Sequence, residues 1–150
     1  MIIFLFFNLR KRAKTFAGDV GSISLAFLLS WFLIALILKT GRIEYILLFA
    51  VYGIDSVVTI LLRLARRENI FKPHRTHLYQ LLCNEYKYSH IRVSLIYGII
   101  QCVINVIVIQ LIVNNLMNHT LLTLSILLLS VTYLVLRYKI QKAIDWKYTY

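Results

Sequence analysis

Apolar residues dominate four long stretches of the chain, and short polar segments separate these stretches from one another. The apolar stretches cover residues 21–38, 43–64, 91–113 and 120–136. A helix needs roughly 20 mostly apolar residues to cross the hydrocarbon core of a bilayer, and each stretch comes close to that length. The pattern therefore predicts an all-α membrane protein with four transmembrane helices, organised as one membrane unit over residues 1–150.

The polar segments predict two cytosolic loops, at residues 8–20 and 65–90. Residues 1–7 are apolar but too few to span a bilayer, and a basic cluster follows them at once. They resemble the inner end of a longer transmembrane helix, so we expect Met1 to be an internal start within a larger protein. In the second loop, apolar residues at helical spacing predict a short amphipathic helix along the membrane surface. These residues are Leu78, Leu81, Leu82 and Tyr86.

Charge placement fixes the expected orientation of the chain. The net charge is +11, and all but two of the 17 Lys and Arg residues lie before the first span, around the second loop or after the last span. The exceptions are Lys39 and Arg42. By the positive-inside rule, both termini and the second loop are cytosolic. The charge is then explained by topology and by anionic headgroups, and nucleic-acid binding is not expected.

An acidic residue inside the second span demands a partner or water. An ionised carboxylate at the bilayer centre costs about 2.5–3.5 kcal/mol, so Asp55 must face protein or a wet cavity. Either Asp55 lines an active cavity, or it locks helices together through Ser56 and Thr59, with its natural partner expected upstream of Met1. A small and polar seam in the third span predicts helix–helix packing. It consists of Ser94, Gly98, Gln101 and Asn105.

Two short polar motifs are the candidates for chemistry. The first is Phe16-Ala17-Gly18-Asp19-Val20-Gly21-Ser22. Glycines allow a tight turn and close approach of a ligand, and free amides at a helix start favour an anion. The carboxylate of Asp19 would suit Mg²⁺, which is usually held by one or two carboxylates plus substrate phosphates. The alternative is that Asp19 or Ser22 caps the N-terminus of the first span.

The second motif is Pro73-His74-Arg75-Thr76-His77-Leu78-Tyr79-Gln80. In a helix, His74 and His77 would share one face. With Lys72 and Arg75 beside them they suit a phosphate clamp, because arginine binds phosphate through two parallel hydrogen bonds. Zinc needs three or four protein ligands, and no third ligand is evident. The alternative is a basic loop that binds lipid headgroups. The two cysteines, Cys83 and Cys102, lack a metal-type spacing and are interpreted as inert thiols.

In this order, the two motifs resemble the F-x-G-D-x-G-S and H-R-x-H-x-Y-Q motifs of the polyprenyl-phosphate N-acetylhexosamine-1-phosphate transferases, in bacterial glycosyltransferase family 4. The resemblance covers nearly the whole chain and is strongest between Phe16 and Gln80. It implies transfer of a sugar-1-phosphate from a UDP-N-acetylhexosamine such as UDP-GlcNAc to undecaprenyl phosphate, with Mg²⁺ and release of UMP. Such enzymes begin cell-wall or surface-polysaccharide assembly at the bacterial inner membrane.

The resemblance also implies roles for individual residues. Asp19 would be catalytic and would bind Mg²⁺, and His74 and His77 would be catalytic and contact the diphosphate. Substrate-binding roles would fall to Lys72, Arg75, Gly18, Gly21 and Ser22. Asp55 would have a cavity-lining or structural role.

The family's aspartate-rich motif lies upstream of F-x-G-D-x-G-S, and Asp19 is the first acid of this chain. We therefore expect these 150 residues to be inactive alone. They would be the C-terminal part of a longer enzyme, or of a split enzyme whose N-terminal half is a separate chain. The alternatives are a non-catalytic remnant, a packing or regulatory subunit, and a transporter piece built around Asp55.

Overall fold

Helices account for nearly all of the regular structure in the computed structural model. The structure describes residues 18–72 and 74–149, without the side chains of Asp19 and of residues 145–149. Across these ranges there is no β-strand. A 3-10 segment covers Ile43–Phe49. The α-helices are α1 (Gly18–Thr40), α2 (Ala50–Ala65), α3 (Leu78–Asn84), α4 (His90–Val113) and α5 (His119–Thr149).

Four of the described helices are long and apolar enough to cross a membrane. They cover Val20–Thr40, Ile43–Ala65, His90–Val113 and His119–Ile144. The prediction of an all-helical chain with four such helices is confirmed. The helix α3 lies inside the predicted second loop, whose ends at residues 65 and 90 match the end of α2 and the start of α4. The location of α3 at a membrane surface stays a prediction.

The chain divides into two compact units between Tyr45 and Ile46, and each is described by itself. The first unit contains α1, which begins at Gly18, three residues before the predicted start of the span. Gly18 has a φ of +64°, in the left-handed region that glycine adopts without strain. Gly41 ends the helix with a φ of +67°, and its amide donates to the Ile37 carbonyl at 2.8 Å. Glycine after the last turn is a common helix stop.

The second unit is held together by α2, which packs against both α4 and α5, while α3 packs against α4. The buried core joins Val58 of α2, Leu78 of α3 and Tyr133 of α5. Lipid tails are as apolar as leucine, so association of such helices depends on close packing and on hydrogen bonds between them. The polar contacts of this unit are therefore central to its stability.

A side-chain amide joins the 3-10 segment to α2. The Gln101 Oε1 accepts from the Val51 amide at 2.8 Å, and its Nε2 donates to the Leu47 carbonyl at 3.1 Å. In a regular α-helix these two backbone groups would bond to each other, so the Gln101 amide is inserted between them. Nε2 also donates to Asn105 Oδ1 at 2.6 Å. The predicted packing role of Gln101 is confirmed.

The seam prediction is wrong at Gly98. A Cβ placed there would meet no heavy atom of the described chain within 4 Å, so the glycine does not mark a close helix contact. The last helix also differs from its prediction. The sequence predicts a span over residues 120–136 followed by a tail at the headgroup level, but α5 continues to Thr149. No proline or glycine interrupts residues 119–149, and the extension places Arg137 within the helix.

Candidate functional site

The carboxylate of Asp55 is the centre of a buried polar cluster. Asp55 is only 2% exposed. Its Oδ1 accepts from the Tyr133 hydroxyl at 2.8 Å and from the Leu78 amide at 3.2 Å. Its Oδ2 accepts from the Tyr97 hydroxyl at 3.3 Å. These donors come from three helices other than α2, so Asp55 has hydrogen-bond partners within the described chain.

A buried arginine completes the cluster. Arg137 is 7% exposed, and its Nη1 donates to Thr59 Oγ1 at 2.8 Å and to the Tyr133 hydroxyl at 2.9 Å. The Thr59 hydroxyl in turn donates to Asp55 Oδ1 at 3.3 Å. Buried charges persist only when they are paired or fully hydrogen-bonded. Here one cation and one anion share two bridging hydroxyl groups, so each charge compensates the other.

A second arginine shapes the backbone that leads into the histidine motif. The guanidinium of Arg63 donates from Nε to Glu68 Oε2 at 3.0 Å. Its Nη2 donates to the Asn69 carbonyl at 2.6 Å and to the Lys72 carbonyl at 3.3 Å. Its Nη1 donates to the Ile70 carbonyl at 3.2 Å. A planar fork of donors suits this task better than the single nitrogen of lysine. Arg63 therefore holds residues 68–72 in a fixed turn.

The histidine motif starts helix α3 and contacts the buried cluster. The His77 amide donates to Gln80 Oε1 at 3.2 Å, one half of the capping box that often opens a helix. The His77 Nδ1 lies 3.3 Å from Asp55 Oδ1. His74 lies beside it, with ring centroids 4.9 Å apart, and His74 Nδ1 lies 3.1 Å from Thr76 Oγ1. The two histidines are therefore brought together, and one of them contacts Asp55.

Charge around this motif is uneven. Desolvation and then the positive charge of Arg63 lower the pKa of His74, which favours its neutral form. Arg75 and Lys72 have exposed side chains, although the Lys72 carbonyl is bound by Arg63. Two exposed cations thus lie beside a pair of adjacent imidazoles, an arrangement whose chemistry suits an anion such as a phosphate.

A polar cavity of about 390 Å³ opens beside the cluster. Its wall includes a stack in which the His77 and Tyr79 rings are 5.6 Å apart with an interplanar angle of 21°. Desolvation and then the negative charge of Asp55 raise the pKa of Tyr79, and burial raises the pKa of the Cys83 thiol, so both stay neutral at ordinary pH. The lining residues are Tyr52, Asp55, Ser56, His77, Tyr79, Cys83, His90, Val93, Ser94 and Tyr97.

The glycine motif belongs to the other unit, and only part of it is described. Residues 16 and 17 and the side chain of Asp19 lie outside the described residues. Gly18 and Gly21 are in the first turn of α1 instead of a turn before it. The Ser22 hydroxyl donates to the Gly18 carbonyl at 2.9 Å. Ser22 is thus inside the helix, and the alternative that it is the N-cap is wrong.

No metal centre is defined by the part of the chain that the structure describes. No three His, Cys, Asp or Glu side chains in it converge on a point that would hold a metal ion. The side chain of Asp19, the one predicted Mg²⁺ ligand, lies outside the described part. The magnesium site therefore stays an expectation from the sequence resemblance.

Comparisons with family models, with curated proteins and with solved structures find no match to this chain. The fold itself defines the class of protein: a multi-pass helical membrane protein with four helices long and apolar enough to span a membrane.

Three residues of the cluster were missed by sequence reasoning: Tyr97, Tyr133 and Arg137. A weak signal exists for two of them, because Tyr133 and Arg137 are four residues apart and share a helix face. Tyr97 lies three residues after Ser94, on the side of α4 that carries the polar seam. Aromatic and basic residues near the ends of membrane spans commonly lie at the headgroup level, so the sequence did not indicate that these three residues are buried.

Proposed function

We propose that the chain is part of a transferase that moves N-acetylhexosamine-1-phosphate from a UDP-sugar to a polyprenyl phosphate and releases UMP. The observation that carries the proposal is the position of the His74–His77 motif. His77 and Tyr79 of the motif line a polar cavity, and His77 contacts a buried carboxylate at 3.3 Å. Two adjacent imidazoles with cations beside them, at the start of the short helix α3, fit a substrate with phosphates.

The proposed roles follow from what each side chain offers. Arg75 and Lys72 supply cations for the diphosphate, Arg75 through two parallel hydrogen bonds and Lys72 as a point charge. His74 is neutral around pH 7 and therefore donates or accepts a hydrogen bond there without adding charge. Phosphoryl transfer depends mainly on positioning and on charge neutralisation, so such groups would contribute much of the catalysis. Magnesium, if held by Asp19, would add neutralisation of phosphate charge.

A second cavity supports a lipid substrate. It measures about 230 Å³, is almost entirely apolar and shares Tyr97 with the polar cavity. A ligand with a phosphate headgroup and a prenyl tail has the same division into polar and apolar parts. The apolar lining residues include Ile54, Leu78, Leu82, Ile96, Ile100, Ile104 and Leu129.

The proposed location is the bacterial inner membrane, with both termini and the histidine motif in the cytosol. The distribution of Lys and Arg supports this orientation through the positive-inside rule. A cytosolic site would also meet its UDP-sugar where nucleotide sugars are made. Activity in cell-wall or surface-polysaccharide assembly follows from the proposed substrates.

Complementation tests the proposal. The chain is co-expressed with the upstream half of a related transferase, and UMP release from a UDP-N-acetylhexosamine is measured in membranes. We expect activity only when both halves are present, and a loss of at least tenfold in Asp19→Asn and in His74→Ala. His119→Ala is the control, since this residue starts α5 and lies outside the motifs. Activity that survives both motif changes would contradict the site assignment.

The runner-up is a non-catalytic packing or regulatory subunit. It is favoured by the number of donors that already satisfy Asp55, because a carboxylate bound by three helices stabilises a bundle without any substrate. The same assay separates the two proposals. A packing subunit would raise the amount of a partner protein in the membrane and would tolerate His74→Ala.

A further inference from the structure

Phe71 is the most exposed large apolar side chain among the described residues, at 90%. A single exposed apolar residue is ordinary on a protein surface. Phe71 differs because the backbone beneath it is fixed by hydrogen bonds. Its amide donates to Asn69 Oδ1 at 2.9 Å, and the Lys72 amide donates to the Asn69 carbonyl at 3.2 Å. The chain therefore presents this ring from an ordered turn.

The turn is tied to the end of a membrane-spanning helix. Arg63 lies in the last turn of α2, and the candidate span that contains α2 ends at Ala65. The Arg63 guanidinium donates to the carbonyls of Asn69 and Ile70 at 2.6 and 3.2 Å. These bonds keep the turn beside the end of the span, at the level where hydrocarbon gives way to headgroups. Phe71 is thus held at the membrane surface.

An arginine in the left-handed region of backbone conformation ends the same helix. The Arg67 amide donates to the Leu64 carbonyl at 2.9 Å. The Glu68 amide donates to the Arg63 carbonyl at 3.0 Å, and the two bonds together form a Schellman motif. Arg67 has a φ of +57° at the position where this motif usually has glycine. A side chain strains the backbone there.

Nothing in the burial of Arg67 offsets this strain, because the residue is exposed. Residues held in a sparsely populated backbone conformation are often found where a side chain is needed for function. The charge of Arg67 is therefore better explained by a contact with a molecule outside the chain than by a contribution to the fold.

Positive charge dominates the exposed surface of the turn. Arg66 is exposed beside Arg67. The acid that follows them, Glu68, is bound by the buried Arg63 at 3.0 Å and reaches Arg66 only at 4.0 Å. The charge of Glu68 is thus balanced mainly by Arg63, and two exposed guanidinium groups remain to attract an anion. Arginine binds phosphate through two parallel hydrogen bonds.

We propose that residues 66–72 are a lipid-binding turn for an anionic leaflet at this end of α2. The Phe71 ring inserts at the boundary between headgroups and acyl chains, and Arg66 and Arg67 bind headgroup phosphates. A lipid partner is favoured over a protein partner because hydrogen bonds hold the turn at the end of the span. The inference is independent of the transferase and assigns no role to the histidine motif.

Tryptophan fluorescence measures the depth of residue 71. The full chain carries Phe71→Trp together with Trp31→Phe and Trp146→Phe, so that a single indole reports. It is reconstituted in phosphatidylcholine vesicles with or without phosphatidylglycerol. With phosphatidylglycerol, we expect the indole to be quenched by lipids brominated near the glycerol end of the acyl chains and to be protected from acrylamide in the water.

Two results of this measurement would overturn the proposal. One is equal access of acrylamide to the indole in the two kinds of vesicle, because an anionic lipid would then have no part in its position. The other is an indole that is protected from acrylamide but unaffected by brominated lipid, because a second copy of the chain would then cover it.

Arg67→Gly, made in the same reporter chain, separates lipid contact from structure. A cation near an anionic surface favours contact by roughly fivefold, so the fraction of indole that acrylamide reaches in phosphatidylglycerol vesicles is expected to rise by about that factor. The melting temperature in mild detergent is not expected to fall, because glycine adopts a φ of +57° without strain.

Two matched variants control for charge. Arg67→Lys keeps the cation and is expected to keep the indole protected. Lys39→Gln removes an exposed cation outside the turn and is expected to leave acrylamide access unchanged. Unchanged access in Arg67→Gly, or an equal rise in Lys39→Gln, would overturn the proposal. A lower melting temperature in Arg67→Gly would also overturn it, since Arg67 would then be explained by the stability of the helix end.

Discussion

Replacing Arg63 with lysine is expected to loosen the turn at residues 68–72 while leaving the helices folded. The guanidinium makes four hydrogen bonds in this turn, one to the Glu68 carboxylate and three to backbone carbonyls. Lysine presents one nitrogen in place of three, so it retains one or two of these bonds. The freed carbonyls regain water in part. Two or more lost bonds then cost about 2–3 kcal/mol of local stability.

Hydrogen–deuterium exchange of the protein in bilayers measures this cost. A local loss of about 2–3 kcal/mol corresponds to roughly 30- to 150-fold faster exchange in peptides that cover residues 68–77. Arg66→Lys is the matched control, because Arg66 has a side chain 60% exposed and reaches Glu68 only at 4.0 Å. Such an exposed pair contributes about 0–1 kcal/mol. Equal exchange in the two variants would refute the argument that Arg63 holds the turn.

Two further changes test other parts of the fold. In Gln101→Leu, the Leu47 carbonyl and the Val51 amide lose the side-chain amide that joins them. We expect the unfolding free energy, measured in mild detergent, to fall by about 2–4 kcal/mol. A change below about 0.5 kcal/mol would contradict the interpretation that the Gln101 amide is inserted between these two backbone groups. The pKa of His74 in the folded chain is below its ordinary value of about 6.5. As the pH falls below about 6.5, His74 therefore binds a proton more readily in the unfolded chain than in the folded chain, and the stability of the fold decreases. The difference in melting temperature between neutral pH and pH of about 5.5 is expected to be smaller in His74→Gln, and an identical pH dependence would show that His74 is not responsible.

Helix number and approximate position could be predicted from the sequence because both depend on local composition. Four apolar stretches of spanning length become four candidate spans, with ends that differ from prediction by a few residues at α1 and by more at α5. The tail after residue 136 is polar and has no apolar period to reveal a helix. Its helical state depends on the absence of a breaker and on the docking of Arg137 against Thr59.

The candidate site was predictable only in its local parts. His74 and His77 are neighbours in sequence, and their ring contact follows from that proximity. Asp55 could be recognised as buried, because a carboxylate in a span must find a partner. Its actual partners could not be identified, since Tyr97 and Tyr133 are far along the chain and tyrosine has many ordinary roles in membrane helices. Such contacts depend on helix rotation, which composition does not determine.

The order in which the Asp55 cluster is synthesised gives the chain a vulnerable period during membrane insertion. His77 follows Asp55 by 22 residues, but Tyr133 follows it by 78. At about 5–20 residues per second, a ribosome needs roughly 4–16 s to travel from Asp55 to Tyr133. For that time α2 carries its carboxylate without the hydroxyl and the arginine of α5. We expect quality-control proteases to remove nascent chains that stall in this interval. We also expect a chain truncated before α5 to be degraded faster than a chain that ends after Arg137.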